Sequence, residues 1–215
     1  MGGLINTSIT AMTAFAATNL DDIVILMVFF SQVNATFRSR HIVTGQYLGF
    51  IVLILASIPG FLGGLILPEA WIGLLGFLPI AIGVKQLINL HQDKEIVQTV
   101  SDELSSLKTG LISSQTYHVA AVTVANGGDN IGIYVPLFAG QSLVQLLVTL
   151  TVFFVLIGVW CYVAYRLIRY PAIAHVFTRY GRQLVPFILV GLGLSILIES
   201  GTYKLLPFLP LNFYP

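Results

Sequence analysis

The chain has 215 residues, 56% of them hydrophobic and only 9% charged, with a mean hydropathy of +0.90; soluble domains carry about 25% charged residues, so a water-soluble globular protein is excluded. The net charge of +1 offers no basic surface for nucleic acid. A polytopic, all-α membrane protein remains, because apolar runs long enough to cross roughly 30 Å of hydrocarbon as helices recur along the sequence.

The first run, roughly 5–32, contains "ATNLDDIVILMVFF" with Asp21 and Asp22 deep inside it. Runs at roughly 43–66 and 71–91 follow, the latter carrying Lys85 in "GVKQL". The polar stretch after them sets Ile96, Val97, Val100, Leu104 and Leu107 near one helical face, the pattern of a short amphipathic helix on the membrane surface. The fourth run, roughly 117–139, contains "VTVANGGDNIGIYVPLF", with Asn126, Asp129 and Asn130 around Gly127 and Gly128. The fifth and sixth, roughly 143–165 and 184–206, carry the only cysteine, Cys161, and the acid Glu199. A lone cysteine among apolar neighbours reads as packing.

Eight of the ten basic residues, Arg38, Arg40, Lys94, Lys108, Arg166, Arg169, Arg179 and Arg182, follow the odd-numbered runs. The positive-inside rule makes those loops cytoplasmic and both termini extracytoplasmic, as expected of a multi-pass protein of the cell membrane.

The halves repeat. Asn19 and Asn126, Asp22 and Asp129, and Pro79 and Pro186 are each separated by 107 positions; Ala17 and Ala125, Asp21 and Asp129, and Ile23 and Ile131 by 108. Three spans per half invert the second copy, and inverted three-helix repeats bind substrate at discontinuous helices near the bilayer midplane. The expected organisation is six transmembrane helices: a first three-helix repeat over about 1–92, a cytoplasmic linker over about 93–115, and a second three-helix repeat over about 116–215, with discontinuous first and fourth helices.

An ionised carboxylate at mid-bilayer costs about 2.5 to 3.5 kcal/mol or more, so Asp21, Asp22 and Asp129 are functional candidates that face inward. Residues three or four apart share a helix face, whereas neighbours diverge by about 100°. Asn19 therefore converges with Asp22, and Asn126 with Asp129 and Asn130, while Asp21 points elsewhere. Gly127, Gly128 and Pro136 supply the means to break the fourth helix, freeing carbonyls as further ligands. The resulting oxygen-rich site suits a divalent cation, and two acids in a small volume let protons compete with it. Glu199, Lys85, Thr18 and Thr123 are candidates for a gate or proton relay.

The segments "ATNLDDIVILMVFF" and "VTVANGGDNIGIYVPLF", with "GVKQL" and "GLGLSILIESGT", resemble the signature segments of the cadmium resistance transporter family, within the wider lysine-exporter superfamily. The resemblance implies efflux of a toxic divalent cation, with Asn19, Asp21, Asp22, Asn126, Asp129 and Asn130 as the substrate region. Cadmium is soft and prefers thiolates, whereas this donor set holds only oxygens, which suit manganese or calcium better. The expectation is a secondary exporter of a divalent metal cation by alternating access, an antiporter with protons as counter-ion and no cofactor. Its alternatives are another cation such as manganese, calcium or zinc, or a cationic amino acid. An intramembrane metal-dependent transferase fits less well, because Ile25 and Ile133 stand where further carboxylates are needed, so no enzymatic activity is expected.

Overall fold

A computed structural model describes residues 2–89 and 113–202; most of the expected linker and its amphipathic helix lie outside the described residues. Helix α1 (Gly2–Thr18) and helix α2 (Leu20–Ser31) form a pair bent by 57° at Asn19. The local chemistry explains the bend: the Thr18 hydroxyl donates to the Ala14 carbonyl at 3.0 Å and the Asn19 amide to the Phe15 carbonyl at 2.9 Å. Side chains thus compete for the last turn's acceptors. Asp21 and Asp22 then open α2 in its first turn, where the helix dipole favours negative charge.

After α3 (Ser39–Gly64), the chain forms α4 (Glu69–Ile72), a 3-10 turn (Gly73–Gly76) and α5 (Phe77–Asn89). In the second half come α6 (Ser114–Asn126), α7 (Gly128–Ala139), α8 (Leu143–Leu167) and α9 (Pro171–Glu199). Ser113 caps α6 by accepting from the Thr116 N–H, and Ser142 with Gln145 forms a capping box on α8. Among the described residues two helices, Ser39–Gly64 and Leu143–Leu167, are each long and apolar enough to cross a membrane, and the bent α1–α2 pair makes a third if taken as one span. Exposed apolar side chains such as Leu55, Val155 and Phe187, at 63%, 60% and 64% exposure, suit a lipid-facing surface.

Three expectations are corrected. The fourth run breaks at Gly127 alone; Gly128 begins α7, and Pro136 rides inside α7 without interrupting it. Gly127 has an ordinary right-handed backbone, φ −85° and ψ 20°, so glycine serves here for room: a Cβ would run into the buried Leu53 side chain. The third run is not one helix but α4, the 3-10 turn and α5, since Gly73 and Gly76 bring its backbone against Thr202 and Gly193. Finally, α9 begins at Pro171, well before the apolar run, because hydropathy marks the hydrocarbon boundary and not where a helix starts. Proline suits that first position, where its missing N–H costs nothing.

The helices exchange partners between halves: α3 packs along α6 and α7, α8 along α1 and α2, and α5 against α9. Glycines set the closest approach. A Cβ on Gly45 would lie 2.6 Å from Val119 Cβ, and one on Gly49 the same 2.6 Å from Thr123 Cβ, so the backbones of α3 and α6 are in near contact, as small residues permit in membrane helices. Farther along α3, Gly60 and Gly64 meet the carbonyls of Val135 and Ala139 on α7. An aromatic core of Phe15, Phe50, Tyr134, Phe138, Phe153 and Trp160 fills the space between α1, α3, α7 and α8.

Gly60→Ala drives a methyl into the Val135 backbone, which cannot rotate away, and overpacking of this kind costs about 1–3 kcal/mol. A methyl on Gly63 would meet nothing within 4 Å. The melting temperature of the detergent-solubilised protein is expected to fall by several degrees for Gly60→Ala and to stay unchanged for Gly63→Ala.

Candidate functional site

The two helix breaks lie side by side, and the polar residues around them meet across the halves. Asp22, on α2, is 4% exposed. The Asn126 amide donates to its Oδ1 at 2.7 Å and the Gln46 amide to its Oδ2 at 3.1 Å, so neutral donors from α6 and α3 hold both oxygens. Hydrogen bonds to a charged group contribute about 1.5–3 kcal/mol each, enough to offset a large part of the burial cost. Gln46 is held in turn by the Thr123 hydroxyl, which donates to its Oε1 at 2.7 Å.

A second layer lies beside this clamp. Asn130 Nδ2 donates to Asn19 Oδ1 at 3.3 Å, and Asn19 Nδ2 donates to the Tyr134 hydroxyl at 2.8 Å. Thr18 Oγ1 and the Tyr134 hydroxyl are also 2.8 Å apart. The Asn19 carbonyl, at the bend itself, accepts from Trp160 Nε1 at 2.8 Å. The carbonyls of Ala14, Phe15 and Asn19 at the first break are thus already engaged by side chains, whereas Asn130 Oδ1 is a buried oxygen with no donor among the described residues.

Asn19, Asp22, Asn126 and Asn130 come together; the other expected residues divide. Asp129, half-buried in the first turn of α7, has its Oδ1 engaged by the backbone N–H of Asn130 at 3.0 Å. Asp21 is exposed, turned from Asp22 by the roughly 100° that separates neighbours on a helix. The three carboxylates remain within electrostatic reach of one another. Among the described residues no three His, Cys, Asp or Glu side chains are grouped closely enough to hold a metal ion by themselves, so any cation here draws on amide and hydroxyl oxygens as well.

Of the gate or relay candidates, Thr18 and Thr123 belong to these layers, but Lys85 is exposed on α5. Glu199 lies elsewhere, its Oε1 accepting from Ser195 Oγ at 3.0 Å. It lines a cavity of about 540 Å³ with Asn6, Thr10 and Gln145, at the end of the bundle opposite Arg38 and Arg166. Tyr134, 0% exposed, lies on α7 between Asn130 of the site and Pro136 and Leu137 of that cavity's lining. Sequence reasoning missed Gln46, Tyr134 and Trp160. The available signal for Gln46 was an amide set between Gly45 and Gly49 in an otherwise apolar run.

A buried carboxylate held by neutral amides where broken, apolar helices meet is the kind of site that ion transporters use. Residues 15–208 match the family model described as cadmium resistance transporter, and the chain belongs to that family. No curated protein and no solved structure matches the chain. Membership points to a membrane protein for metal cation efflux, in keeping with the expectation that it is not an enzyme.

Trp160→Phe keeps the aromatic packing and removes the donor on the Asn19 carbonyl, leaving a buried acceptor unpaired at a cost of about 1–3 kcal/mol. A lower melting temperature and faster amide hydrogen exchange around the bend are expected.

Proposed function

We propose that the chain is a secondary exporter that carries a divalent cation outward in exchange for protons, with the cation bound between Asp22, Asn126, Asn19, Asn130 and Asp129. The observation that carries this reading is the clamp on Asp22. An acid of one half is buried at the break of its own helix and held by an amide at the break of the other half's helix. Asn130 Oδ1, buried and without a donor among the described residues, adds an oxygen suited to a cation. Asp129 supplies a second negative charge from the first turn of α7.

Alternating access of two inverted three-helix halves, making six spans with α1–α2 and α6–α7 as the broken ones, is part of the proposal. Its support is a set of equivalences at the 107-residue separation. Leu53 of α3 packs at the Gly127 break, and Trp160 of α8 bonds to the Asn19 break; the numbers 53 and 160 differ by the separation that relates Asn19 to Asn126. The exchanged packing, with α3 on the broken helices of the second half and α8 on those of the first, follows the same relation. On this reading the cavity beside Glu199 is the outer vestibule and Tyr134 the layer that closes the site from it.

The family points to cadmium, while an all-oxygen donor set also suits manganese or calcium. Cys161, buried on α8 and within electrostatic reach of Asp22, makes none of the hydrogen bonds that build the site, and the proposal gives it no ligand role.

Reconstitution into liposomes with cadmium, zinc, manganese, calcium and lysine as candidate substrates tests the reading. Metal flux driven by a proton gradient and collapsed by a protonophore is expected, with Asp22→Asn lowering it at least about 100-fold and Asp129→Asn at least about tenfold, in line with losing a charged partner worth several kcal/mol. Full flux in both variants, or flux blocked by excess lysine and not by metal, sinks it.

A further inference from the structure

Gln46 is buried, at 6% exposure, and both ends of its amide are in use: Nε2 faces Asp22 Oδ2 at 3.1 Å and Oε1 faces Thr123 Oγ1 at 2.7 Å. The Thr123 hydroxyl has another acceptor within reach, the Val119 carbonyl at 3.0 Å. A hydroxyl carries one proton and two lone pairs, so it donates to one of these oxygens at a time.

Two complete arrangements follow. In the first, Thr123 donates to Gln46 Oε1, and Gln46 Nε2 donates to Asp22. In the second, the amide is turned by half a turn: Nε2 donates to Thr123 Oγ1, Thr123 donates to Val119, and Oε1 stands beside Asp22 Oδ2. In both, the amide nitrogen and the Thr123 hydroxyl each keep an acceptor. Two oxygens side by side repel, however, and a cation between them turns that repulsion into shared coordination.

We propose that Gln46 is a direct oxygen ligand of the transported divalent cation, turned toward it by the Thr123–Val119 hydrogen-bond relay, with Thr123 as the positioning residue. This rests on the midplane cation site proposed above. Geometry keeps the relay in register: Gly45 and Gly49, flanking Gln46, hold α3 against Val119 and Thr123 so closely that neither helix can approach further. The relay also separates the two acids. At the 107-residue separation the counterpart of Gln46 is Phe153, fully buried in the aromatic core, so α8 offers Asp129 no matching amide. The cation's amide ligand from a second helix therefore comes from the first half alone, beside Asp22.

The test uses the purified full-length protein and cadmium alone, measured by equilibrium dialysis at constant pH, with melting temperatures recorded without metal. Thr123→Val keeps the side chain's shape and removes the relay. Cadmium affinity is expected to fall about 10- to 100-fold, as when partners behind a metal ligand are lost, with a melting temperature lower only by the few degrees that an unpaired Gln46 Oε1 costs. Thr123→Ser should restore affinity to within about threefold, because the hydroxyl returns, and Gln46→Leu should lose at least as much as Thr123→Val. Wild-type affinity in both Thr123→Val and Gln46→Leu overturns the proposal. So does a loss in Thr123→Val that tracks a fall in melting temperature and is not rescued by serine. Asp22→Asn is measured alongside: unchanged binding there overturns the midplane site itself, whereas lost binding in Asp22→Asn with intact binding in Thr123→Val overturns only the relay.

Discussion

The arrangement around the two breaks depends on one requirement, that the Asp22 carboxylate be buried among apolar helices without being left unpaired. An isolated charge there would cost several kcal/mol, and the donors to its two oxygens come from two different helices. One donor, Asn126, is available because α6 ends at the break, which leaves its last side chain free to reach across to α2. The other, Gln46, is available because glycines at 45 and 49 remove the side chains that would hold α3 away from α6. Backbone proximity and site chemistry are the same fact seen at two scales: the residues that let helices touch also bring the amide within 3.1 Å of the acid.

Around this clamp the halves are alike in outline and unlike in detail. Both have a broken helix with acid in the first turn after the break, and in both a helix of the opposite half packs at the break, with Leu53 at one and Trp160 at the other. Yet Asp22 is almost wholly enclosed while Asp129 is half-exposed and bonded to its own helix. The difference originates in the filling helices. α3 carries glycines and a glutamine where it meets α6, whereas α8 meets α1 with Phe153, Ile157 and Trp160, large side chains that fill space and bring a single donor, the indole N–H.

Periodicity and depth pick out Asn19, Asp22, Asn126 and Asn130, but not Gln46 or Tyr134, among the polar residues that meet. The spacing of Asn19 and Asp22 puts them on one face, and the 100° step turns Asp21 away, because a helix that stays regular after its break leaves neighbours no choice. Which partner each side chain takes is not legible in the same way, since that depends on how closely helices pack. Gln46 reads as one polar residue in an apolar run until its flanking glycines are placed against the backbone of α6. Pro136 misleads in the opposite sense: a proline breaks a helix in isolation, but here it sits inside a buried stretch of α7 held by Tyr134, Leu137 and Phe138 in the core, and packing overrides local preference. The start of α9 escapes for a related reason, because Thr178, Arg179, Arg182 and Gln183 interrupt the apolar signal after the helix has begun at Pro171, and hydropathy measures lipid contact.

The choice of amides over a basic partner for Asp22 has a consequence for what the site can do. A lysine or arginine at either position would neutralise the acid with a fixed positive charge, and a cation approaching it would be repelled as strongly as the acid attracted it. An amide has no net charge, and its carbonyl and amino groups are nearly equal in size, so one side chain can either donate to a carboxylate or join it in facing a positive ion. Asp22 is ringed by such groups, Asn126, Gln46 and, one layer away, Asn19 and Asn130. The only basic side chain described on the neighbouring α5, Lys85, points out of the bundle. An ionised Asp22 would thus be hydrogen-bonded well enough to be buried and yet keep its charge uncancelled, the condition that the proposed exchange of cation for proton requires.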